Sequence, residues 1–249
     1  MSRLGKAARS LASGYAALGI TTAYTLASIP LALHYLGISR FAVWSLVTQV
    51  ASYLLLIDMG MSASISRILI DHKDTPADGE YGSVVKTGCL VLLVQGAMIG
   101  LGGSLLSVWL PYWMNVPAEY ASVFRWLVAG QCLLLGVFFV GRIATHLLQA
   151  HQRFDIINYA QMVQLCLSFA TQWITFHIGW GLYSLLAASF VSMACGVFVN
   201  FGAVIFLHLL PPRQHSGRAN RESFRKIFAF GNELFLMAIG LQRREAIGA

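Results

Sequence analysis

The sequence predicts an all-α polytopic membrane helix bundle, and three observations carry that expectation. Apolar stretches recur at residues 11–36, 41–66, 84–110, 123–148, 158–178 and 181–208, with the start of a seventh near 227. Each of the six matches the roughly 20 residues a helix needs to cross a hydrocarbon core. The gaps between them alternate between basic and nearly uncharged. Finally, 57% of the residues are hydrophobic and 11% charged, with a mean hydropathy of +0.67, whereas soluble domains average about 25% charged residues.

The basic residues set the orientation. Arg3, Lys6 and Arg9 precede the first segment; Arg67, Lys73 and Lys86 follow the second; Arg142 and Arg153 follow the fourth; Arg213, Arg218, Arg221, Arg225 and Lys226 follow the sixth. The alternate gaps hold Arg40 and Arg125. Cytoplasmic loops are enriched in Lys and Arg, so the N-terminus is expected in the cytoplasm. The apolar run after Arg9 also outlasts the roughly 7 to 15 residues of a signal-peptide core, so the first segment is expected to stay in the mature protein.

Segment 1 carries small residues at Gly19, Ala23 and Ala27, hydroxyls at Thr21, Thr22, Thr25 and Ser28, and Pro30, where a kink is expected. Segment 2 holds Asp58 toward its inner end. The connector from Asp71 to Glu80 is polar and turn-rich, which reads as solvated. Segment 3 repeats small residues at Gly96, Gly100 and Ser104, a face on which helix backbones approach closely, within the chain or between two copies. The outer loop Pro111–Pro117, with Trp109 and Trp126, supplies aromatic anchors for the membrane interface.

Segment 4 places Arg142 and His146 four residues apart on one face, at a depth similar to that of Asp58. A charge in the membrane needs a partner or water, and two readings stay open. One is a structural pair of Asp58 with Arg142 or Arg67. The other makes Arg142, with His146, a counter-charge for an anionic headgroup, because a guanidinium matches phosphate geometry.

Segment 5 aligns Gln161, Gln164, Ser168, Thr171, Gln172 and Thr175 in one polar stripe. The stripe either hydrogen-bonds to neighbouring helices or lines a hydrophilic cavity. Segment 6 repeats small residues at Ala188, Ser192 and Gly196. Residues 1–210 thus form a six-helix lobe, 211–226 a basic cytoplasmic loop and 227–249 the start of a seventh helix. That helix reads as interrupted, because Arg243, Arg244 and Glu245 arrive before a span is complete.

Composition and motifs narrow the function. The net charge of +7 sits at helix ends on one side, as insertion requires, and argues against nucleic-acid binding. Cys89, Cys132, Cys166 and Cys195 lie singly in apolar segments and read as packing residues, with no metal-ligand spacing. No nucleophile elbow, phosphate loop, zinc-protease motif or carboxylate pair occurs, so neither catalysis nor a cofactor is expected.

Several stretches resemble a known family. Tyr35-Leu36-Gly37, Phe41-Ala42-Val43-Trp44-Ser45-Leu46, the run from Tyr53 to Met61 and Ser64-Ile65-Ser66-Arg67 resemble the polysaccharide biosynthesis proteins. These are the O-antigen-type flippases of the multidrug, oligosaccharidyl-lipid and polysaccharide exporter superfamily. The stretch from Leu147 to Asn158 is similar to that family's cytoplasmic turn between helices 4 and 5, and the stretch from Phe224 to Gly231 to its entry into helix 7.

The resemblance implies about twelve to fourteen helices in two lobes around a central cavity, with alternating access by rocking of the lobes. It implies transport of an undecaprenyl-diphosphate-linked oligosaccharide, a precursor of lipopolysaccharide O-antigen, across the bacterial cytoplasmic membrane. This chain would match the N-terminal lobe alone, with membrane lipids around it and a second chain supplying the other lobe. A lone lobe has one wall of the cavity and is expected to transport little unaided. Cavity cations are expected at Arg67 and Arg142.

Three other readings remain. A drug or cation antiporter would use Asp58 as its protonatable acid, a lipid II flippase would use the same cations, and an inactive remnant or membrane scaffold would transport nothing.

Overall fold

A computed structural model describes residues 3–58, 60–72, 79–211 and 220–232, with side chains from Arg9 onward. The described residues are helical, with no strand. In order they form α1 (Arg3–Leu54), a 3-10 turn (Leu55–Asp58), α2 (Met61–His72) and α3 (Glu80–Ala97). A π-helical turn (Met98–Gly102), α4 (Gly103–Leu106), α5 (Leu110–Trp113), α6 (Ala118–Phe139), α7 (Arg142–Ala150), α8 (Phe154–Ile178) and α9 (Tyr183–Phe206) follow. A last helix, α10, covers 221–232.

Four helical stretches are long and apolar enough to cross a membrane: Arg9–Asp58, Glu80–Leu106, Ala118–Phe139 and Tyr183–Phe206. Helix α8 matches them with 25 residues but falls outside the set. The amides of Gln161, Gln164 and Gln172 lower its hydropathy. As one straight helix at 1.5 Å per residue, the 50-residue stretch Arg9–Asp58 would be about 75 Å long, more than twice a hydrocarbon core. Its helical dihedrals run through Pro30, where a kink is expected from sequence, and break instead at Gly37. Gly37 has φ 72° and ψ 171°, a region essentially restricted to glycine.

Two apolar clusters hold the bundle. One gathers Ile65, Leu69, Leu92, Phe139, Leu147 and Ile227; the other joins Val47, Phe124, Leu127 and Leu185. Helices α3 and α6 meet at backbone distance. A Cβ built on Gly136 would sit 2.5 Å from the Gly96 carbonyl oxygen and 2.9 Å from the Gly100 Cα. The small-residue face of segment 3 is therefore used within the chain. Gly196 likewise leaves room for the Gln164 amide.

The third small-residue face is not packed. Gly19, Ala23 and Ala27 are exposed, and a Cβ on Gly19 would meet nothing within 4 Å. Helix α1 turns Ser13, Thr21, Tyr24 and Ser28 to α8 instead, where they meet hydrogen-bonding groups of α8, while Thr22 and Thr25 are exposed and bond carbonyls of their own helix.

Two features lie at the expected cytoplasmic end. Gln152 has φ 55° in the turn between α7 and α8. Just beyond it the buried Asp155 accepts from Arg153 Nε at 3.2 Å and lies 3.6 Å from Arg9 Nε, tying the turn to the start of α1. Helix α10 begins at 221, inside the stretch expected as loop. Asn220 caps it, its Oδ1 accepting from the Glu222 N–H at 3.2 Å, and Glu222 pairs with Lys226 at 3.1 Å. The tail expected to be interrupted, 233–249, lies outside the described residues.

Candidate functional site

Two helices expected as continuous are broken at the same place in the bundle. Segment 2 gives up α-helical geometry at Leu55–Asp58 and restarts at Met61 after Gly60, whose φ is 74°. Segment 4 is interrupted more gently: it tightens into a 3-10-type turn at Val140 and Gly141, where the Gly141 N–H bonds the Phe138 carbonyl at 3.0 Å while φ and ψ stay helical, and α7 continues from Arg142. Broken helices leave backbone groups needing partners, and in membranes such breaks recur where polar ligands bind. Here the side chain of Gln95 answers one of them, its Nε2 donating to the carbonyls of Ile57 and Asp58 at 3.3 Å each.

Asp58 ends one break and Arg142 begins the other, and both line a single cavity of about 310 Å³. Leu55, Leu135, Phe138, Phe139 and Met193 complete its lining. The two charges share the cavity without touching: no carboxylate among the described residues lies within 4.0 Å of the Arg142 guanidinium. Arg142 lies 4.7 Å from the centroid of the Phe139 ring, a cation–π contact that holds the guanidinium, and its N–H groups meet no acceptor among the described residues. Asp58 Oδ1 accepts from Ser62 Oγ at 2.7 Å. The expected Asp58–Arg142 pair is therefore not formed, and neither is one with Arg67.

Arg67 is exposed on α2 and pairs with Asp71 one turn on, at 3.7 Å. It does not line the cavity. His146, 5% exposed, shares a helix with Arg142 but is built into a different cluster. Its Nδ1 is 2.8 Å from Ser66 Oγ, which donates to Gln149 Oε1 at 2.8 Å. The Ser66 hydrogen is thereby used, so the network favours Nδ1–H donating to Ser66 Oγ. This chain ties α2 to α7.

The polar stripe of α8 meets α1. Gln161 Nε2 donates to Thr21 Oγ1 at 3.4 Å, Ser168 Oγ bonds Tyr24 OH at 3.2 Å, and Gln172 Nε2 donates to the Ser28 carbonyl at 3.4 Å. Asn158 Nδ2 extends the seam by donating to Ser13 Oγ at 3.0 Å. Gln172, only 1% exposed, and Gln164, packed on Gly196, lie in an interhelical seam, whereas Gln161 is exposed. The interhelical alternative of the two sequence readings fits Gln172 and Gln164; at the exposed Gln161 both readings stay open.

Sequence reasoning missed the apolar lining, Leu55, Leu135, Phe138, Phe139 and Met193, because apolar residues inside apolar segments carry no signal. It also missed both interruptions, although each had a signal: a glycine within two residues of a charge inside a hydrophobic run, Gly60 two after Asp58 and Gly141 just before Arg142. A second cavity, of about 700 Å³, lies on the other side of the first break, lined by Leu56, Ile57, Gln95 and the stacked rings of Phe224 and Phe228. No family model, curated protein or solved structure matches the chain.

Proposed function

We propose that this chain is one lobe of a membrane flippase for a lipid-linked oligosaccharide, with Arg142 receiving the diphosphate. The observation that supports the reading best is the cavity at the two helix breaks, where a guanidinium with unused N–H groups is held among apolar side chains. A phosphate is the ligand those donors fit, bidentately and in a low-dielectric setting. On this reading the chain makes six passages and begins a seventh. The stretch Arg9–Asp58 supplies the first and part of the second, α8 is the fifth despite its amides, and α10 opens the seventh. The cytoplasmic side is the one bearing Arg9, Arg153 and Lys226, in a bacterial inner membrane.

The antiporter reading draws on Asp58 in the same cavity, but there the carboxylate shares its space with a cation that a cationic cargo would have to displace. The resemblance at residues 35–67 favours the saccharide carrier.

The purified chain, stripped of lipid and offered equal amounts of a polyprenyl-diphosphate oligosaccharide and a neutral polyprenol of the same length, tests the reading. Retention of the diphosphate lipid about tenfold over the polyprenol is expected, the size of one good charge-assisted contact. Equal retention of the two would overturn it.

A further inference from the structure

We infer that the Asp58–Arg142 cavity takes a headgroup carrying a phosphate and a primary ammonium group together, a zwitterion rather than a plain anion. The inference rests on the reading of Arg142 as a phosphate site and adds the role of Asp58. A cavity built for an anion alone would not place a carboxylate in the same small apolar space, where poor screening makes its repulsion strong. A cavity built for a cation alone would not hold Arg142. A structural ion pair would satisfy both, but the two side chains do not pair: Asp58 turns to Ser62, at 2.7 Å, and Arg142 to the face of Phe139, at 4.7 Å.

A zwitterion satisfies both charges at once. Its phosphate oxygens accept from the Arg142 N–H groups, and its ammonium donates to the Asp58 oxygen that Ser62 does not occupy. The linking carbons lie against Leu55, Leu135, Phe138 and Met193. The cavity volume of about 310 Å³ is at the lower end of small-molecule sites, which run from about 300 to 1,000 Å³, and suits a headgroup rather than a whole lipid.

This chemistry occurs in two kinds of molecule, an ethanolamine phospholipid and a diphosphate lipid whose first sugar bears a free amine. The test offers both to the delipidated chain. One arm presents phosphatidylethanolamine and phosphatidylglycerol with the same acyl chains. The other presents a polyprenyl-diphosphate aminosugar and its N-acetylated form. Bound lipids are weighed by native mass spectrometry.

A preference of about tenfold for the amine-bearing member in either arm is expected, one charge-assisted contact, and the arm that shows it names the source. D58N is expected to abolish the preference, because removing the carboxylate removes both the ammonium's partner and the repulsion felt by the amine-free member. No preference in either arm, or a preference that D58N does not change, overturns the inference. Because the unmodified chain is read first, a variant that fails to fold leaves the result intact. R142Q separates the two layers. Loss of all phosphate lipids with no amine preference in the unmodified chain leaves the phosphate site standing and removes the zwitterion; retention unchanged by R142Q removes the phosphate site itself.

Discussion

Replacing Gly136 by leucine is expected to keep the bundle from assembling. Helices α3 and α6 approach there with no side chain between them, so a Cβ at Gly136 would meet the Gly96 carbonyl oxygen at 2.5 Å and the Gly100 nitrogen at 3.0 Å. Backbone cannot rotate aside as a side chain can. The helices must separate, and the packing around the buried Leu92, Ile99 and Phe139 is lost with their contact. Overpacking ordinarily costs about 1 to 3 kcal/mol, and a backbone-to-backbone clash belongs above that range. Against a typical total stability of about 5 to 15 kcal/mol, such a loss decides whether folded protein accumulates. Size-exclusion profiles of detergent extracts should show Gly136→Leu largely aggregated. Gly102→Leu, where a Cβ meets nothing within 4 Å, should run like the unmodified chain. Equal profiles for the two variants would mean that α3 and α6 do not pack through this face.

Arg142→Gln is expected to lower retention of a polyprenyl-diphosphate lipid at least about tenfold, the equivalent of about 1.4 kcal/mol or more. The glutamine keeps a polar side chain in the cavity, so a loss reports the charge and the fork of N–H donors rather than the space. Arg142→Lys should recover part of the binding, because an ammonium supplies charge without the two parallel donors that match a phosphate. Arg67→Gln is the control. Arg67 sits in an exposed pair with Asp71, and such pairs are worth about 0 to 1 kcal/mol, so its loss should change retention by less than about twofold. A loss at Arg67 equal to that at Arg142 would show that retention follows surface charge instead of the cavity.

The sequence made some of this architecture legible and left other parts silent, for physical reasons. The small-residue repeat at Gly96, Gly100 and Ser104 announced a close approach because nothing else about a lipid-embedded helix favours glycine every fourth position. The same pattern at Gly19, Ala23 and Ala27 misled: a neighbouring face of α1 offers Ser13, Thr21, Tyr24 and Ser28, and the amides of α8, Gln172 buried among them, find partners there that a smooth surface lacks. Gln161, Gln164, Ser168 and Gln172 were visible as a stripe, but whether a stripe faces water or another helix depends on what stands opposite, which periodicity does not encode.

The candidate site was half legible. Arg142 and Asp58 stood out as charges in apolar runs, and their similar depth followed from counting residues. That they share one cavity without pairing depends on local contacts the sequence pattern does not encode: Asp58 accepts from Ser62, and Arg142 lies over Phe139. His146 illustrates the converse. Its spacing from Arg142 was read correctly, yet Ser66 and Gln149, distant from each other in sequence, claim it for a separate cluster. The start of α10 at 221 was missed because Asn220 as a helix cap lay within a basic loop whose charges drew the reading.

The account's central claim is that Arg142 holds a phosphate-bearing lipid in the cavity at the two helix breaks, and cysteine protection at Met193 tests it most directly. Met193 lines that cavity from α9 without contributing charge. In a background with the native cysteines replaced by alanine, Met193→Cys should react with a small thiol reagent, and a short-chain polyprenyl diphosphate should slow that reaction several-fold. Arg142→Gln should remove the protection. A labelling rate that the diphosphate leaves unchanged, in a chain that still carries Arg142, would contradict the claim.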